Sequence, residues 1–263
     1  MKAARRRRSN GGLPEIAVAR YKLTLAYDGT AFSGSQRQIR CRTVQAELEK
    51  AARGLGWNGS SVLLAGRTDA GVHATGQVAA LDLEWDHGPV ALRDALNAGL
   101  PRDLVVTEAQ AVGDAFHPRF DAVSRCYGYE VRCAPLRHPI EDQWAWRVWP
   151  PVNVEDLSRI AALFRGTHDF GAFGSASRKG GGTNRTVAVS EWREDESTLR
   201  YEIAADGFLY RMVRRLVFVQ VAAGQGKCSE QVIRTALAGG RRIPGLPAGT
   251  APAEGLRLLQ VQY

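Results

Sequence analysis

The chain has no run of about eighteen apolar residues, the length that a membrane-spanning helix needs. Lysine is scarce. Of 35 basic residues only Lys2, Lys22, Lys50, Lys179 and Lys227 are Lys, and the other 30 are Arg. The four cysteines (Cys41, Cys126, Cys133 and Cys228) are too scattered to form a disulfide framework. Adding His117 and His138 to Cys126 and Cys133 makes four donors, but their spacings match no zinc motif, so no metal is expected. Free thiols fit a reducing cytoplasm. Arg5-Arg6-Arg7-Arg8 has no apolar core behind it, which argues against a secretory signal.

The charge balance is distinctive. A net charge of +8 and a pI near 9.6 favour a polyanionic partner, either nucleic acid or an anionic membrane surface. Arg binds phosphate as a planar fork and stacks on bases, which suits nucleic acid. A GC-rich genome would give the same Arg excess, so composition does not separate the two causes. Hydrophobic content of 44% and charged content of 24% are those of an ordinary folded domain, and 263 residues suffice for a sizeable core.

Residues 1–19 read as a polar basic tail without fixed structure. From Tyr21 to Tyr27 the chain alternates with the period of a strand. A loop with Gln36, Arg37, Gln38 and Arg40 follows, and Thr43 then caps a helix whose inward face is Val44, Leu48, Ala51, Ala52 and Leu55. Two short strands flank Asp69. Pro89 opens a second helix carrying Leu92, Leu96 and Asn97, and Leu104 to Thr107 is a further strand. This order, β-α-β-β-α-β, is the split unit of ferredoxin-like folds and occupies residues 20–113. A related order, β-α-β-β-α-α-β, follows over 114–263. It comprises a strand from Val123 to Cys133, a Trp- and Pro-rich connection, and a helix capped by Asn153 and ended by Gly166. A hairpin of Thr186–Trp192 with Leu199–Ala205, a helix from Leu209, a shorter one capped by Ser229 and a strand from Leu256 complete it. The fold class predicted is α+β, two ferredoxin-like βαββαβ halves joined into a mixed sheet with a central catalytic cleft.

The connection Ala65-Gly66-Arg67-Thr68-Asp69-Ala70-Gly71-Val72-His73 draws attention because unpaired charge is costly between buried strands. Gly66 and Gly71 permit backbone shapes and close approaches that a side chain would block. Asp69 reads as a carboxylate on a rigid support facing a cleft, or as the start of an exposed turn beside a solvated Arg. The residues alone leave both open. A second glycine-rich stretch, Gly224-Gln225-Gly226-Lys227-Cys228, fails as a phosphate-binding loop: Val221 replaces its first Gly, and Cys228 stands where Ser or Thr is required.

The same residues resemble the TruA-type tRNA pseudouridine synthases, and the likeness spans nearly the whole chain from Tyr21. It rests on ordered segments: Leu25–Thr30 with Gly34–Gln38, Thr43-Val44-Gln45, Gly66–His73 with Thr75–Val78, and Asn97-Ala98. Further along come Phe116-His117 with Arg119-Phe120, Tyr127 with Tyr129, Gly166–Phe170, Met212-Val213-Arg214 and Ala251–Leu256. Two positions depart from the family's pattern, Ser35 where Trp is usual and Phe218 where a small Gly is usual.

The resemblance implies isomerisation of uridine to pseudouridine at positions 38–40 of the tRNA anticodon arm, without a cofactor and by a homodimer. It makes Asp69 the nucleophile, Arg214 the cation that keeps it ionised, and Tyr127 the residue that stacks on the uracil. Arg67 is implied as a second RNA contact. The basic loop carrying Arg178 and Lys179 reads either as a phosphate contact or as a linker. His73 reads as a structural hydrogen-bonding residue. A non-catalytic RNA-binding module would also explain charge and fold, though not the Arg-Thr-Asp signature. A glycosidase would need a second acid that the signature does not offer.

Overall fold

A computed structural model describes residues 18–176, 180–195 and 198–263. Most of the predicted tail (1–17) lies outside these residues, as do Arg178 and Lys179. The first strand, β1 (Val18–Tyr27), starts earlier than its alternation suggested, and it buries Tyr21, Leu23, Leu25 and Tyr27 on one face. Helix α1 (Val44–Gly54) begins at Thr43, whose side chain accepts from the Ala46 N–H at 3.3 Å. Strands β2 (Leu63–Leu64) and β3 (His73–Glu84) follow. Helix α2 (Gly88–Gly99) carries Pro near its start, and β4 (Leu104–Val112) comes next. Asn97 on α2 bonds Val106 in both directions, its Nδ2 donating to the carbonyl (2.9 Å) and its Oδ1 accepting from the N–H (2.8 Å). It therefore satisfies the strand's backbone as a neighbouring strand would.

The second set begins with β5 (Ser124–Cys133), β6 (Trp146–Val148), α3 (Val154–Ala162) and β7 (Gly166–Asp169). The hairpin β8 (Asn184–Asp195) and β9 (Thr198–Ala205), helices α4 (Met212–Gly224) and α5 (Glu230–Gly239), and β10 (Leu256–Gln262) complete it. Strands β6 and β7 are additions to the expected order. Each is only three or four residues long, too short for alternation to register. Helix α4 starts at Met212 and not at Leu209. Arg211, at φ +60, is left-handed and prevents the helix from extending backwards.

Among the described residues all ten strands share one sheet, in the order β4-β1-β3-β10-β5-β9-β8-β7, with β2 beside β3 and β6 beside β5. Most pairs are antiparallel, and β10–β3 and β5–β6 are parallel. One pairing order occurs twice, as β4-β1-β3-β2 and as β10-β5-β9-β8, in agreement with the two βαββαβ patterns. Strand β10 is the seam, pairing with β3 on one side and β5 on the other. Among the described residues no helix is long and apolar enough to cross a membrane.

Candidate active site

Strands β2 and β3 hold the two ends of the loop that carries Asp69, and neighbouring segments pin it between them. The Ala65 N–H donates to the Val78 carbonyl (2.8 Å), and Gln77 Nε2 donates to the Gly66 carbonyl (3.0 Å). Thr68 is buried and held three ways. Its N–H donates to Ser35 Oγ (2.9 Å), its carbonyl accepts from the Ser35 N–H (3.1 Å), and its hydroxyl lies 2.9 Å from the Tyr27 hydroxyl. Burying Thr68 turns its neighbours Arg67 and Asp69 outward. Gly71 has φ +78, a conformation that glycine adopts without strain. Gly66 does not meet its expectation: its φ is not positive, and an added Cβ would sit an ordinary 3.9 Å from Tyr127 Oη.

His73 locks the loop's far end. Its Nδ1 accepts from the Gly29 N–H (3.0 Å), and its Nε2 lies 3.1 Å from the Glu254 carbonyl. Trp144 packs on the ring at 4.8 Å between centroids. The Asp28 carboxylate lies 3.2 Å from Nδ1, which favours a charged imidazolium, but burial is the larger effect and lowers the imidazole pKa. A neutral ring with its proton on Nε2 satisfies both backbone contacts.

Arg214, in the first turn of α4, faces Asp69. Its Nη1 donates to Asp69 Oδ2 at 2.7 Å, across 145 positions of sequence. The same guanidinium donates from Nε to the Ala251 carbonyl (2.7 Å), and the Ala251 N–H returns a bond to the Arg214 carbonyl (2.9 Å). Arg215 points elsewhere, into a crevice with Phe173 and Arg242. Tyr127 is buried on β5, with Phe208 edge-on at 5.1 Å. Burial first, and then the nearby Tyr27 and Asp69, raise its phenol pKa, so the hydroxyl keeps its proton.

The structure thus brings together Asp69, Arg214 and Tyr127. Arg67 is exposed, and among the described residues its guanidinium has no partner. Arg178 and Lys179 lie outside the described residues. Cys126, Cys133, His117 and His138 do not gather: Cys126 faces Glu202, and burial pushes its thiol pKa up to about 12. Among the described residues no group of three or more His, Cys, Asp and Glu could hold a metal ion.

The profile described as tRNA pseudouridine synthase matches residues 24–121 and 160–263, which include Asp69 and Arg214. The chain belongs to the tRNA pseudouridine synthase family. Relatives named tRNA pseudouridine synthase A agree along almost their whole length. The one from Methylacidiphilum infernorum is 41% identical over 94% of this chain and 97% of its own. Those from Syntrophomonas wolfei and Chloroflexus aurantiacus are 37% and 41% identical, covering 98% and 87% of their own lengths.

Within this synthase the two departures acquire a physical account. Ser35 is fully buried and supplies the acceptor for the Thr68 N–H, so it acts as a clamp on the Asp69 loop. Phe218 stacks on Trp146, with 6.0 Å between ring centroids and 10° between planes, and so joins α4 to the Trp-rich connection. Sequence reading missed Ser35's contact, Gln77's grip on Gly66 and the Ala251 brace on Arg214. All three are bonds between side chain and backbone, and they leave no periodic trace.

Proposed function

We propose that this synthase isomerises uridine at positions 38–40 of the tRNA anticodon arm, with Asp69 as nucleophile. The observation that carries the reading is the Asp69–Arg214 pair, set beside Tyr127, with Asp69 on a loop held at Gly66 and Thr68. The target base is swung out of its stack to reach the carboxylate. Asp69 forms a covalent adduct, at the uracil ring or at the sugar carbon. The bond from N1 to C1′ breaks, the base turns, C5 bonds to C1′ and the bond to Asp69 breaks; C5 then loses its proton to solvent while N1 takes one up, so the product has the same atoms as the substrate. Arg214 keeps the attacking oxygen charged and aimed. Tyr127, a protonated phenol, offers its ring face to the uracil. Arg67, exposed beside Asp69, contacts RNA, and Arg178 with Lys179 contribute phosphate contacts.

On the same reading the protein works in the cytoplasm as a homodimer on one tRNA, which sedimentation with and without tRNA tests. The deciding experiment is tritium release from unmodified tRNA labelled at uridine C5. Release at positions 38–40, mapped on the product, is the expected result. A non-catalytic RNA-binding module would bind the tRNA and release none.

A further inference from the structure

The segment Phe116–Phe120, between β4 and β5, has a construction that the reaction above does not use. Phe120 is 71% exposed. A single exposed Phe needs no explanation by itself; here the surroundings supply one. The Phe120 ring lies against the His117 imidazole at 4.3 Å between centroids, and the Arg119 guanidinium lies 5.9 Å from its centre. His117 Nδ1 accepts from the N–H groups of Arg119 (3.1 Å) and Phe120 (3.3 Å). Asp121 Oδ2 accepts from the His117 N–H (2.9 Å), and Tyr263 donates its hydroxyl to the Pro118 carbonyl (2.8 Å). The loop is therefore braced on several sides while it presents an apolar ring to water.

Arg125 ties this loop to the catalytic one. Its Nη2 donates to the carbonyls of both Arg119 (2.5 Å) and Ala65 (3.3 Å), and Ala65 is the residue that opens the Asp69 loop. Its Nη1 donates to Ala122 (3.1 Å) and Asp206 (3.0 Å). Among the described residues Arg125 has no carboxylate partner, so a half-buried guanidinium serves to hold backbone in place. Arg119 itself is exposed and has no carboxylate partner among the described residues.

We propose that Phe120, backed by His117 and flanked by Arg119, is a stacking surface for one unpaired nucleobase of the RNA substrate, adjacent to the Asp69 loop. The proposal rests on the functional reading above. An exposed ring stacks on any base because every base has a π face, and an adjacent Arg supplies charge for the phosphate. One exposed ring beside Arg119 and His117 is far smaller than a protein interface. It matches the size of one base.

The test is a binding cycle with unmodified tRNA transcripts, using wild type, Phe120→Ala and Phe120→Trp, each against RNA made abasic at one anticodon-loop position at a time. Because the side chain is exposed, the thermal midpoint of Phe120→Ala should match wild type. Its Kd should rise about tenfold, and Phe120→Trp should restore it. One abasic position should cost wild type the same factor and cost Phe120→Ala nothing more, since the two changes remove one contact. An unchanged Kd for Phe120→Ala would overturn the proposal, as would losses that multiply at every position. A variant whose self-association changes while its RNA affinity does not would overturn it in favour of a contact between protein copies. Tritium release by wild type, run in parallel, reports separately on the functional reading. If it is absent that reading falls, and the binding cycle still decides the stacking surface.

Discussion

Arg214 divides its guanidinium between two partners, Nη1 to Asp69 Oδ2 and Nε to the Ala251 carbonyl, each at 2.7 Å. The brace on Ala251 fixes the plane of the group, so the charge that meets Asp69 is also oriented. Arg214→Met should cut kcat/KM by roughly tenfold to a hundredfold, because the pair is partly buried and a hydrogen bond to a charged group is worth about 1.5–3 kcal/mol. Arg214→Lys should recover only part, because an ammonium cannot make both bonds in one plane. Arg215→Met should retain most activity, since Arg215 faces the crevice near Phe173. Tritium release with the three variants checks this, and equal defects in the two Met variants would refute the assignment.

Asp69→Asn keeps an acceptor oxygen for Arg214 and loses the nucleophile. Turnover should vanish while the Kd for tRNA stays close to wild type. Pseudouridine formed by a clean preparation of this variant would remove Asp69 from its role.

Ser35→Ala deletes the acceptor for a buried N–H, that of Thr68. An unsatisfied buried donor costs about 1–3 kcal/mol, and the loss should appear as a lower urea midpoint with an unchanged slope. The catalytic rate should fall as well, because Thr68 immediately precedes Asp69. A variant as stable as wild type would show that Thr68 finds another partner.

His73 predicts a pH dependence. Burial lowers its folded pKa below the ordinary value of about 6.5, so the unfolded chain binds the proton more readily. Stability from this group is fully present above the unfolded value. It is lost as pH falls below about 6.5 toward the folded pKa, where protonated Nδ1 can no longer accept from Gly29. Thermal midpoints at descending pH should fall more steeply for wild type than for His73→Asn, which is less stable at neutral pH but has no imidazole to charge. Parallel curves would remove His73 from this role.

Elements with a physical signature were legible from the residues. Strand β1 showed its alternation, α1 its Thr43 cap, and the Asp69 loop its charge between apolar strands. The order of elements foretold a sheet built from two repeats. Arg214 was different. Helical neighbours point about 100° apart, so periodicity separates Arg214 from Arg215 without saying which one faces Asp69, and the family likeness points to Arg214. The start of α4 differs from its pattern because Leu209 continues the helical spacing, whereas Arg211 is left-handed at φ +60, a backbone conformation that periodicity does not record. The Thr68, Gly66 and Glu254 partners of Ser35, Gln77 and His73 lie from 11 to 181 positions away in sequence, and only the folded chain displays them.

The position of β10 has a consequence for biosynthesis. Asp69 is supported by β3 and Tyr127 stands on β5, yet in the sheet these strands meet only through residues 256–262, which follow every other strand in the chain. While a ribosome is still translating earlier codons, the two sides of the cleft have no shared strand to set their register. Register between the two sides of the cleft is therefore set by β10, the last in sequence of the described strands.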